Sequence, residues 1–327
     1  MIRPFFRRLT ACGAALALFF AAAAAAEGTD ESVQEILRQD GTPVEDPENG
    51  FWSYDSPELQ ITIRRYEEKI QPKKKTYDLV YCVADIHASP ESPLGVIMTE
   101  PVKKKIAGEN QVSPDLLEEK HRPLFAMSDD MYGIRLKSNR NYAYRGIVIR
   151  NGEILASKTR DSSKKRAWPN LDMLALFGDG SMKSYVCDAL TAEELQGMGA
   201  EQVFSFGPWL ISEGKTNPQL YQKNYYYYSY ARSAIGMVEP YHYVAVIVQG
   251  TTDRQSGKVP WLGVTMDWMA DKMKEMGCTE ALNLDGGGSA VMFFNGKILL
   301  SGYVKLEKKV YVPYLRSVGS LITFGER

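Results

Sequence analysis

Three dipeptides that favour tight turns punctuate this chain: Asn151-Gly152 in GIVIRNGEILAS, Asp179-Gly180 in DMLALFGDGSMKSY and Asn295-Gly296 in VMFFNGKILLS. Asn-Gly and Asp-Gly suit the two-residue turns whose twist matches paired strands, so each predicts a β-hairpin. LQITIRRY, from Leu59 to Tyr66, alternates apolar and polar residues as a half-buried strand does. DLVYCVADI, from Asp78, is a mostly apolar, β-branched run of the kind found in buried strands. Lys69 to Lys75, with Pro72, reads as the turn between them. A chain built this way pairs its strands antiparallel over much of its length.

Helices fall between these segments. TAEELQGM (Thr191 to Met198) starts on a Thr and carries Glu194 three residues later, a capping box. Thr265 to Met276 places Met266, Met269, Met273 and Met276 on one face, with Gly277 positioned to end the helix. That stripe reads as core packing.

With 327 residues, 44% hydrophobic and 24% charged, the chain has the composition of a globular protein of one large domain or two small ones. A formal net charge of −1 supplies no positive field for nucleic acid. The short basic runs Lys73 to Lys75 and Lys103 to Lys105 read as solvated faces. Residues 1–26 differ from the rest: Arg3, Arg7 and Arg8, an apolar stretch from Leu9 to Phe20, then Ala21 to Ala26. This predicts a signal peptide and a secreted or extracytoplasmic protein with no integral membrane partner, an uncleaved anchor being the alternative. LTAC (Leu9 to Cys12) precedes the apolar stretch instead of following it, which argues against lipidation. Past residue 26, only Cys82, Cys187 and Cys278 remain. They allow at most one disulfide, contain no metal-type pair, and read as buried small apolar residues. The expected organisation is a signal peptide over 1–26, then an extension over 27–76 with a short helix near Val33, Ile36 and Leu37, a linker and a strand. One domain follows over 77–327.

The densest feature is ALNLDGGGSAVMFFNGKIL, Ala281 to Leu299. A short apolar strand ends in Asp285, and Gly286, Gly287, Gly288 and Ser289 follow before a hairpin begins. Each glycine loses more backbone entropy on ordering than any other residue, so three together need a reason. No Gly-Lys-Ser/Thr follows and a hairpin, not a helix, comes next, which excludes a Walker-type phosphate loop; nor is there a dinucleotide fingerprint. The loop offers a fixed carboxylate, backbone donors for an anion or sugar oxygen, and a small hydroxyl. A sharp strand connection alone is the other reading.

The block from Gly263 to Leu299 strongly resembles the phosphodiester glycosidase family. The likeness continues through RSAIGMVEPYHYVAVIVQGTTDR (Arg232 to Arg254), FSFGPWLISEGK (Phe204 to Lys215) and GIVIRNGEIL (Gly146 to Leu155), covering Tyr77 to the C-terminus. The resemblance implies an α+β fold, with mixed, largely antiparallel β-sheets carrying β-hairpins and flanked by helices. It also implies hydrolysis of a sugar joined through C1 to a phosphodiester. One stretch departs from the family: where an Asn-Gly-Asp/Gly-x-Phe segment is expected, this chain reads FAMSDDMYG, Phe125 to Gly133. Ser128 replaces the Asn, and Asp129 and Asp130 follow it.

A phosphate ester leaves as a stable anion, so cleavage at the sugar carbon leans on positioning and charge stabilisation more than on acid catalysis. A carboxylate is still wanted, to attack the anomeric carbon or to activate water. Asp285 is the first candidate, with Asp129 or Asp130 as partner; a solvated loop is the other reading of that pair. Arg232 is the candidate phosphate ligand, because a guanidinium matches phosphate oxygens in a fork, whereas a salt bridge at the sheet edge is its structural alternative. Gly286, Gly287, Gly288, Ser289, Arg254 and Thr265 complete the candidate substrate-binding set. Tyr225 to Tyr228, with Tyr230, read either as a stacking platform for sugar or as a packed strand. His87, His121 and His242 sit in unrelated contexts and read as structural. No cofactor is implied; a hard cation on Asp oxygens stays open, without calcium-loop spacing to support it. The rival is a non-catalytic module binding envelope polysaccharide through the same cleft; a metal-dependent phosphodiesterase would need a clustered His/Asp array, and the sequence shows none.

Overall fold

The computed structural model describes residues 41–70, 76–99, 112–130, 146–158, 170–221, 229–250, 263–307 and 310–327. The strongest local signals produce the expected elements. Asn151-Gly152 joins Gly146–Arg150 to Glu153–Lys158, and Asn295-Gly296 joins Val291–Phe294 to Lys297–Glu307. In both turns both residues have positive φ, the conformation of a two-residue turn whose twist fits the strands. Asp179-Gly180 also turns Asp172–Phe177 back into Met182–Tyr185, but over the four residues 178–181 instead of two, with positive φ at Gly180 and not at Asp179. Thr191 caps the Ala192–Gly197 helix with both halves of the capping box: Glu194 N–H donates to Thr191 Oγ1 at 3.1 Å, and Thr191 N–H to Glu194 Oε2 at 2.8 Å.

Among the described residues the strands assemble into three sheets of nine, five and six strands. The nine-stranded sheet runs Val44–Asp46, Phe51–Asp55, Gln60–Ile70, Tyr77–His87, His242–Val248, Arg232–Glu239, Glu280–Leu284, Trp209–Ser212, Lys215–Thr216 from edge to edge. The five-stranded sheet runs Met182–Tyr185, Asp172–Phe177, Ala200–Phe206, Gly146–Arg150, Glu153–Lys158. The six-stranded sheet runs Val310–Tyr314, Lys297–Glu307, Val291–Phe294, Pro123–Ser128, Ser320–Glu326, Gly95–Met98. Every strand pair among the described residues is antiparallel, which corrects the expectation of mixed sheets. Hairpin turns account for the directly linked neighbours; pairs far apart in sequence, such as Tyr77–His87 with His242–Val248 and Pro123–Ser128 with Ser320–Glu326, are antiparallel as well. The expected flanking helices are also sparse. The α-helices among the described residues are Pro114–His121, Ala192–Gly197 and Met266–Glu275.

Each sheet turns one face to a common core and the other to one of these helices. The shared core takes Ile61, Ile63, Cys82 and Ile86 from the nine-stranded sheet, Phe125, Met127, Phe294 and Phe324 from the six-stranded sheet, and Leu174 and Phe204 from the five-stranded sheet. The outer face of the nine-stranded sheet packs Val83, Val244 and Val246 on Met266, Met269 and Met273 of the long helix; all three methionines are fully buried. Burying each such side chain stabilises by roughly 1.5–3 kcal/mol, so the helix is held by its stripe more than by propensity. Leu195 covers the outer face of the five-stranded sheet, and Leu117 that of the six-stranded sheet. The strands between Val44 and Ile70 belong to the nine-stranded sheet and contribute Trp52, Ile61 and Ile63 to the shared core. Among the described residues no helix is long and apolar enough to cross a membrane. Cys82 and Cys278 are buried as expected, but Cys187 is only half-buried, because its segment lies past the end of the Met182–Tyr185 edge strand.

Candidate active site

The three sheets meet around Asp285. The Glu280–Leu284 strand ends there because its pairing with Arg232–Glu239 runs out at Ser233 opposite Leu284. Asp285 N–H then leaves its own sheet and donates to the carbonyl of Asp129, just past the end of Pro123–Ser128, at 2.9 Å. Asp285 is 7% exposed, and its Oδ2 lies 3.9 Å from Nη1 of the half-exposed Arg316. Arg316 also donates to Ser289 Oγ at 3.4 Å, and its backbone N–H to the Gly288 carbonyl at 2.9 Å, so it wraps the glycine loop.

The glycines answer to the chain itself. A Cβ on Gly286 would lie 2.5 Å from the Ala231 carbonyl oxygen, inside any real contact, and Gly287 holds φ +61. Gly287 N–H donates to the Ala231 carbonyl at 2.9 Å, and Ser289 N–H to that of Gly286 at 3.1 Å, inside a short 3-10 turn. These two donors were expected to face a ligand and are instead engaged within the chain. The Gly287 bond holds the loop against the start of the Arg232–Glu239 strand, one residue beyond the Ser233–Leu284 pair.

Arg232 is 4% exposed; its Nε donates to the Val264 carbonyl at 3.2 Å, and its guanidinium carbon lies 5.1 Å from the centre of the Tyr230 ring. Thr265, next in sequence to that carbonyl, begins the long helix without a side-chain cap bond. Ser233, the next residue on the strand, shares a 2.7 Å hydroxyl–hydroxyl hydrogen bond with Ser128 of the six-stranded sheet. Asp285, Arg232, Ser289 and Thr265 are thus brought to one end of the nine-stranded sheet. Arg254 and Tyr225 to Tyr228 lie outside the described residues.

Asp129 and Asp130 are not on a solvated loop: they are 3% and 0% exposed. Arg150, at the end of a buried strand of the five-stranded sheet, reaches both, with Nη2 2.5 Å from Asp130 Oδ1 and 3.4 Å from Asp129 Oδ2. Its Nη1 donates to the carbonyls of Val203 at 2.7 Å and Ile149 at 3.0 Å, and the guanidinium lies over Phe204 at 4.6 Å. Asp130 Oδ2 accepts Ser205 N–H at 2.5 Å, and Asp129 Oδ2 accepts the Ser320 hydroxyl. Asp130 is bonded through both oxygens, and the pair meets Arg150 beside the Asp129 carbonyl on which Asp285 hangs. Sequence reasoning passed over Arg150, Ser205, Arg316 and Ser320. The one available signal was Arg150 itself, a charge closing the apolar run GIVI.

His87 and His242 are not in unrelated contexts: they face each other across adjacent strands, at the end of the sheet away from Asp285. Burial, and then the neighbouring His242, hold the His87 imidazole below its ordinary value, with Asp85 opposing.

Comparison with known proteins agrees with this architecture. A zebrafish N-acetylglucosamine-1-phosphodiester alpha-N-acetylglucosaminidase catalytic domain, auto-inhibited by its pro-peptide, superposes with TM-score 0.58 at 18% identity, covering 83% of this chain and 85% of that one; the likeness is one of fold. The SPbeta prophage-derived protein YomE of Bacillus subtilis (strain 168) is 29% identical over 157 residues, 46% of this chain and 23% of that protein, so the match spans under a quarter of the relative's length. A sequence model of the phosphodiester glycosidases matches residues 124–323, which carry Asp129, Arg150, Arg232 and the whole glycine loop. That span is more than half of the chain, and the chain belongs to the phosphodiester glycosidase family.

Proposed function

We propose that this chain is an exported hydrolase that cleaves a sugar-1-phosphodiester at the anomeric carbon, acting on cell-envelope or exopolysaccharide glycans. The observation that supports the reading is a nearly buried carboxylate, Asp285, with the Arg316 guanidinium 3.9 Å away, at a glycine loop held on the carbonyl of Ala231, the residue before Arg232. Arg232 and Arg316 meet the phosphate, and Arg232, fixed through its Nε, presents the more rigid fork. Asp285 attacks C1 or takes a proton from the water that does. The C1–O bond breaks and its electron pair leaves on the phosphate monoester, stabilised by the same cations. Because that leaving group is already a stable anion, a single carboxylate suffices, which fits the engagement of Asp129 and Asp130 with Arg150. The apolar stretch at Leu9–Phe20 and the alanines up to Ala26 support export.

Hydrolysis of a panel of sugar-1-phosphodiesters in water labelled with heavy oxygen tests the chemistry. Label in the released sugar supports cleavage at C1. Label in the phosphate means cleavage of the P–O bond, and saturable binding without turnover means a polysaccharide-binding module; either result ends the present reading.

Arg232→Lys keeps the charge and loses the fork. The expected result is a KM for the phosphodiester raised about tenfold or more, as for loss of a charge-assisted bidentate contact, with the melting temperature within a few degrees of the parent. An unchanged KM with a collapsed melting temperature makes Arg232 a strut.

A further inference from the structure

At the end of the nine-stranded sheet away from Asp285, Asp85 and His87 stand two residues apart on the Tyr77–His87 strand, and so on one face. His242 pairs directly with His87 across the sheet, and Val244 with Asp85. Register therefore brings two imidazoles and a carboxylate to one spot. His242 Nε2 lies 2.6 Å from Asp85 Oδ1, His87 Nε2 lies 4.0 Å from the same oxygen, and one ligand atom from each residue falls within 4.8 Å of the others. The two rings lie nearly parallel, with centroids 3.9 Å apart.

We propose that Asp85, His87 and His242 hold one divalent first-row metal ion, zinc in the first place, as a structural clip between the two strands. Metal–ligand bonds of about 2.0–2.2 Å in a tetrahedron place ligand atoms roughly 3.3 Å apart, inside the spread seen here, so small side-chain rotations complete the site. Imidazoles with a lone carboxylate suit zinc, copper or nickel; calcium and magnesium want shells made of oxygen. The backbones are fixed by the sheet ladder and by Ala88 N–H donating to the Tyr241 carbonyl at 2.8 Å, so the donors are held before the ion arrives. His87 has a 51% exposed side chain and opens the entry path; Asp85 and His242, at 22% and 19%, form the floor. Three protein ligands leave one position for water. Ser233, opposite Leu284, is six residues along its strand from Glu239, opposite His242, so at ~3.4 Å per residue the clip sits roughly 20 Å from Asp285 and outside the chemistry.

The test uses the full exported chain without a histidine tag, stripped with chelator. Zinc is titrated in competition with a chromophoric chelator, and cobalt(II) is added separately as a spectroscopic probe. One zinc per chain is expected, with affinity about 100-fold weaker in His87→Ala and His242→Ala. Stoichiometric zinc should raise the melting temperature of the parent and leave those of the variants unmoved. Cobalt should give visible d–d bands without thiolate charge transfer. His87→Gln, whose exposed position tolerates the change, guards against misfolding in the buried variant. Failure to bind, equal affinity in parent and variants, or a thiolate band pointing to Cys187 or Cys278 each overturns the proposal.

Discussion

Asp285→Asn is expected to lower turnover of a glycosyl phosphodiester by about two orders of magnitude or more, the range for losing an acid–base or nucleophilic group, while leaving the fold intact. The substitution keeps the shape of the side chain, and the bond from residue 285 N–H to the Asp129 carbonyl belongs to the backbone. What disappears is the negative charge beside Arg316, while the amide keeps the volume of the side chain and an oxygen that still accepts a hydrogen bond. Turnover and chemical denaturation measured on the same preparation separate the two effects. Full activity in the variant, on a substrate the parent cleaves, removes Asp285 from the mechanism and leaves the glycines as a strand connection.

Arg150→Met should produce the largest loss of stability, roughly 3 kcal/mol or more, as expected when one partner of a buried ion pair is removed. Methionine fills the volume over Phe204 but strands the carboxylates of Asp129 and Asp130, which are almost wholly buried. Those groups then favour the neutral form in the folded state, where burial disfavours charge, while they titrate normally once unfolded. The folded variant therefore binds more protons than the unfolded one, and its stability rises as pH falls. Denaturation at pH 5 and at pH 8 should show the deficit relative to the parent shrinking at the lower pH. Arg150→Lys, which restores one charge without the fork, should recover part of the loss. A loss within about 1 kcal/mol at both pH values would mean that the cluster does not brace the site.

The hairpins, the capped short helix and the methionine-faced helix were legible because each depends on residues two to four positions apart. Asp285 and Arg232 were legible as candidates because a glycine run and an Arg at the head of an apolar strand are local oddities. The bracing around them was not legible. Ser205 meets Asp130 across 75 residues, Ser128 meets Ser233 across 105, and Ser320 meets Asp129 across 191. Nothing at Ser320 distinguishes it from any serine beginning a strand. The histidine pair was hidden in the same way: 155 positions separate His87 from His242, the difference of their numbers, and only sheet register puts them face to face. Antiparallel pairing throughout the described residues went beyond what the resemblance implied, since a hairpin fixes its own two strands and says nothing of their outer neighbours.

On the proposed reading, the suture from Asp285 to the Asp129 carbonyl would make competence an all-or-none property of the chain. Asp285 stands on one sheet, the carbonyl that holds it on a second, and the arginine that steadies that carbonyl's neighbourhood on a third. No sheet by itself, and no pair of them, would then carry a partly working site. In a refolding experiment, recovery of catalysis would trail the recovery of strand content and coincide with the docking of the last sheet. A nick that released Ser320–Glu326, the strand beside Asp129, would silence the enzyme from a point far from its chemistry in sequence.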